Sequence, residues 1–111
     1  MDERIFIAKK VASELFAVES AIEAALASTA MFAATLPEAR VKAKLSATVG
    51  QGVFDSLVAA IASLNDARRH IVETHKVLDS TKDQLGMRTV AFGSLSKPMA
   101  VHSPAAVRNA A

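Results

Sequence analysis

Few residues in this sequence have the chemistry and spacing for catalysis. The best equipped are three histidines, His70, His75 and His102, and a scatter of carboxylates. Carboxylate-bridged metal sites in helical bundles use Glu-x-x-His on paired helices, a spacing that puts both ligands on one helix face. Here the order is reversed, His70-Ile71-Val72-Glu73, and His75 follows His70 by five residues. A four-residue step would align the two imidazoles; a five-residue step does not. Glu19 and Glu23 are the acids that a helix pair could bring to these histidines. Cysteine and tyrosine are absent, which removes thiolate nucleophiles, disulfides, Cys-ligated zinc and phenolic acids. Gly50-Gln51-Gly52 lacks the third glycine, the following lysine and the preceding strand of a phosphate-cradling loop. No catalytic, cofactor-binding or metal-ligating set is expected, and the chain reads as a non-enzyme.

Whatever the residues do, helices must position them. The chain has 111 residues, 51% of them hydrophobic and 22% charged, which fits one globular domain. Only 5% are aromatic, all Phe, so an aromatic base-stacking platform is not expected. Residues 1–85 carry ten Lys/Arg against eleven Asp/Glu, a net −1. Arg88, Lys97 and Arg108 give residues 86–111 a net +3. Three charges are too few to argue for DNA binding, so nucleic acid is not the expected partner. The N-terminal Met-Asp-Glu-Arg is acidic where a secretory signal would be basic. The uncharged run from Ala24 to Pro37 is fourteen residues, short of the ~20 apolar residues that span a bilayer. A cytoplasmic protein with no membrane span is the resulting expectation.

Periodicity carries the fold. Ala8, Val11, Leu15, Val18, Ile22, Ala25, Thr29, Phe32 and Leu36 recur in alternating steps of three and four, and none is charged. A second uncharged ladder runs Val53, Leu57, Ala60, Leu64, Ala67, Ile71, Thr74, Leu78, Thr81 and Leu85. Both are heptad seams of coiled-coil type. Pro37 is expected to end the first helix and Gly86 to stand just past the second. The spacing therefore predicts helix 1 over about 3–36, a short connecting helix over about 38–48 and helix 2 over about 53–85. The fold class is all-α: a long antiparallel hairpin over 1–86, dimerising into a four-helix bundle. The simplest register sets Phe32 against Leu57, Val18 against Ile71 and Val11 against Leu78. It also puts Glu19 level with His70 and Glu23 within reach of Arg68 or Arg69.

One stripe per helix does not hide all the apolar surface. Off the seams lie Ile5, Phe16, Leu26 and Met31 on helix 1, with Phe54, Val58, Ile61 and Val72 on helix 2, interrupted by Asn65 and Arg68. These ten are the expected interface, and a second copy of the chain is the expected cover. The tail, 87–111, contains Gly93, Pro98 and Pro104 and no acid. Its first part, 87–95, is expected to dock on the bundle, with 87–101 as an alternative binding segment for another protein and disorder beyond residue 100.

The primary reading is a homodimeric interaction module, acting as adaptor, chaperone or regulator. Two alternatives stand beside it. One is a nucleic-acid-associated factor using Arg40, Lys42, Lys44 and the tail. The other is a metal- or ligand-binding bundle using Glu19, Glu23, His70 and His75. Long helical hairpins with basic tails are broadly similar in architecture to small adaptor and export-chaperone proteins.

Overall fold

The computed structural model describes residues 3–86, and these form two helices and no strand. Helix α1 spans Glu3–Lys42 and helix α2 spans Gln51–Gln84. At ~1.5 Å per residue, α1 is about 60 Å long. The helices run back to back as a hairpin: Arg4 Nη2 donates to the Leu85 carbonyl at 3.4 Å, and Arg68 Nε donates to Glu23 Oε2 at 2.5 Å. The expectations for the tail lie outside the described residues.

Two boundaries differ from the sequence reading. Pro37 does not end α1; it lies inside the helix, which continues to Lys42. Proline's fixed φ is itself helical, so what is lost is the amide that would bond the Ala33 carbonyl, plus a local clash. Leu36, Pro37 and Arg40 remain half-buried beyond that break, so the packed stripe carries through it. The expected short helix at 38–48 does not exist as a separate element, because its first part is the end of α1. Residues 43–50 are a loop, with turns at 43–44 and 47–50.

Those turns are closed by the backbone. Lys44 has φ +59, its amide bonds the Val41 carbonyl at 3.0 Å, and the Leu45 amide reaches back to Arg40 at 3.1 Å. This is a Schellman motif with lysine in the left-handed position that glycine usually holds. Gly50, φ +82, opens α2 without a side-chain cap, and Gly86, φ +76, follows its C-cap Leu85 as expected.

The core is thin. Among the described residues the buried apolar ones are Ala8, Ala12 and Leu15, with Ile71 and Leu78 packed on the Ala12–Leu15 pair. Full burial of one leucine contributes roughly 1.5–3 kcal/mol, while ordering a backbone costs ~1–2 kcal/mol per residue. A hairpin of this length is poorly covered by such a core.

Candidate interaction surface

The inward stripe of α1 is not quite the uncharged ladder. Ala8, Leu15, Ile22, Thr29 and Leu36 are on it, as the periodicity predicts. The alternate rungs are Ala12, Glu19, Leu26 and Ala33, each one residue later than Val11, Val18, Ala25 and Phe32. Helix α2 behaves alike. Leu57, Leu64, Ile71 and Leu78 hold their places, but Phe54, Ile61, His75 and Lys82 turn inward where Val53, Ala60, Thr74 and Thr81 stand in the ladder. Moving every other rung by one residue rotates each stripe by about 50°.

The direction of that rotation sets the surface. In an antiparallel pair of right-handed helices, a shift toward the C-terminus on both turns both stripes to the same flank. The rungs left behind consequently gather on the opposite flank. There Val11, Val18, Phe32, Val53, Ala60 and Thr74 are exposed, and Ala25 and Ala67 are half-buried. From Val11 onward none of the rungs that form this flank is charged. Two threonines, Thr74 and Thr81, stand on this row, and Thr74 Oγ1 donates to the His70 carbonyl at 3.0 Å and offers its methyl to the surroundings. Thr29 does the same to Ala25 at 2.6 Å.

The other flank is polar. Val58, Asn65 and Val72 lie on it, crossed by the Arg68–Glu23 ion pair, with both side chains about half exposed. Of the ten expected interface residues, Ile5, Leu26, Phe54, Ile61 and Val72 are half-buried in the hairpin, while Phe16, Met31, Val58, Asn65 and Arg68 are exposed. None stands on the uncharged flank. The periodicity had assigned that flank's residues to the seam between the two helices.

Three ionisable residues, Glu19, His75 and Lys82, sit where an apolar stripe was expected. His75 is 5% exposed, and its Nδ1 lies 2.7 Å from Glu19 Oε2, so the ring donates to the carboxylate. The expected partner of Glu19 was His70, which is instead exposed; the difference follows from the rotation, which brings residue 75 inward. Glu23, by contrast, does meet Arg68 as expected. Lys82 is 10% exposed along its side chain, with Nζ 3.3 Å from Asp79. Its methylenes cover the core while the ammonium stays at the rim. The remaining pairs are on the surface: Arg69 with Asp66, and Lys10 with Glu14 at 2.8 Å, a hydrogen bond and charge that raise the Lys10 pKa above its ordinary value. Among the described residues no three His, Asp or Glu side chains gather as a metal site.

Contrary to the sequence reading, α1 does contain a stretch long and apolar enough to cross a bilayer once up to two charges are admitted, a test that core helices and signal sequences also pass. No family model matches this chain, and no curated protein or solved structure resembles it significantly.

Proposed function

We propose that the chain is a non-enzymatic protein–protein interaction module of adaptor, chaperone or regulator type, working as a homodimer in which two hairpins join their uncharged flanks into a four-helix bundle. The observation that supports this most is the shared side of the unburied rungs. In a four-helix bundle the core positions point at the bundle axis, diagonal to the contact between any two neighbours. Half of each ladder is then covered inside a hairpin and half by the second hairpin, and that is the division seen between Leu15 and Val18, or Leu57 and Val53. The thin core argues the same way, since a second copy supplies the missing burial.

Solution mass tests the reading. The wild-type chain should sediment as a dimer and Val18→Glu as a monomer, because the new carboxylate would be buried without a partner. Val58→Glu is the control: Val58 is 50% exposed and Val18 is 43%, so each hairpin is perturbed alike, but only one flank is joined. A monomeric wild type, or dissociation by Val58→Glu and not by Val18→Glu, would overturn it.

A further inference from the structure

The hairpin's closed end differs from both flanks. Arg4 bonding to Leu85 places the chain ends at one end of the rod, so the turn at 43–50 lies about 60 Å away. Around this turn Val41 is 74% exposed and Leu45 and Val49 are about half exposed. Pro37, Glu38, Val41 and Lys42 line a shallow open hollow beside them. Interleaved with these aliphatics are Arg40, Lys42 and Lys44, none of which makes an ion pair among the described residues. Of the seven other lysines and arginines among the described residues, Lys10, Arg68, Arg69 and Lys82 each hold a carboxylate. Glu38 is the single acid between residues 24 and 54.

Cations and aliphatics that alternate along one turn suit a medium with anions on top and hydrocarbon beneath. The backbone fits it as well. The amides of Ala43, Lys44 and Leu45 bond the Ala39, Val41 and Arg40 carbonyls in the last turns of α1, those of Val49 and Gln51 bond Ser46 and Thr48 inside the turn, and the Ser46 and Thr48 hydroxyls bond each other at 3.1 Å. A segment entering an apolar layer needs its polar groups satisfied internally in this way. We propose that the closed end is a peripheral docking element for an anionic membrane surface. Val41, Leu45 and Val49 enter the boundary between headgroups and acyl chains, and Arg40, Lys42 and Lys44 meet lipid phosphates. Nucleic acid would use the three cations but has no need of the exposed aliphatics, so lipid is favoured. The inference stands apart from the homodimer and uses different residues.

Vesicle flotation of the full chain tests it, with phosphatidylcholine vesicles lacking or containing phosphatidylglycerol. Binding should require the anionic lipid, fall about fivefold for each cation removed by Lys42→Gln or Lys44→Gln, and be released by salt. Leu45→Asp should reduce binding more than tenfold while leaving helicity and solution mass unchanged, since Leu45 packs against neither helix core. Failure of the wild type to float with anionic vesicles overturns the proposal. So does binding that Leu45→Asp leaves intact, which would point to charge alone and to a nucleic-acid partner. Retention through an alkaline carbonate wash would overturn it too, by showing that α1 itself is inserted.

Discussion

The two flanks of the hairpin are built from the same two helices, yet they follow opposite rules. One is crossed by the Arg68–Glu23 pair and carries Asn65 between two valines. The other presents, from Val11 onward, valine, alanine, phenylalanine and two threonines, with no charged rung among them. A monomeric hairpin in water has no reason to keep one flank free of charge over so many turns. The contrast teaches that the uncharged ladder is not the seam between these two helices: alternate rungs of it are left on one flank, the flank proposed above to meet a second copy.

The largest way to break that contrast is to remove what both flanks share. Among the described residues Leu15 is the only large apolar side chain in the buried core, and Ile71 and Leu78 lean on it. Leu15→Ala leaves a cavity between the helices and should cost ~2–5 kcal/mol in urea unfolding. Both flanks would loosen together, so loss of dimer and loss of helix should coincide in this variant, unlike Val18→Glu.

Next in size is the buried polar pair. Glu19→Ala leaves the His75 Nδ1–H without its acceptor in a site only 5% exposed, a loss of about 1–3 kcal/mol. Glu19→Gln keeps an acceptor oxygen and should cost clearly less in the same denaturant titration. Equal losses for both variants would mean that charge, and not the hydrogen bond, holds the pair. The polar flank predicts a small effect by comparison. Arg68→Ala should cost at most ~1 kcal/mol, because both partners are about half exposed and water screens them.

This ordering also explains which parts of the molecule could be read from the sequence. The two helices were legible because uncharged residues recur every three and four positions, a period no strand shares. The orientation of each stripe was not, for two reasons. Val11 and Phe32 outweigh Ala12 and Ala33 in apolar content, so periodicity selects them as seam; but alanine is what lets two helices approach closely, and it is the alanines that turn inward. Glu19, His75 and Lys82 were excluded from the seam by their charge, although Glu19 and His75 satisfy each other and Lys82 reaches Asp79. Pairing across helices is invisible to a rule applied one residue at a time. The continuation of α1 through Pro37 was missed because a proline's local penalty is judged without the packing of Leu36 and Arg40 on either side.

A finer test sharpens the uncharged flank itself. Thr74→Val replaces a hydroxyl that bonds only its own helix by a methyl of the same shape. If that flank is a buried interface, the dimer dissociation constant should fall several-fold, the direction expected for added apolar burial. The companion change Val58→Thr on the polar flank should leave it within error. A dimer weakened several-fold by Val58→Thr would place that flank in the interface as well and make the two flanks equivalent.

The smallest expected effect falls on the turn that joins the flanks. Lys44 holds φ +59, a conformation that costs an L-residue with a Cβ but not glycine. Lys44→Gly should therefore stabilise the hairpin by about 0.5–1 kcal/mol despite glycine's greater freedom in the unfolded chain, seen as a rise in melting temperature of a few degrees. The same change removes one of the three cations at the closed end. Stability and lipid binding should then move in opposite directions in a single variant, which no general loosening of the fold can produce. That divergence separates a lysine retained for its charge from one tolerated for its backbone.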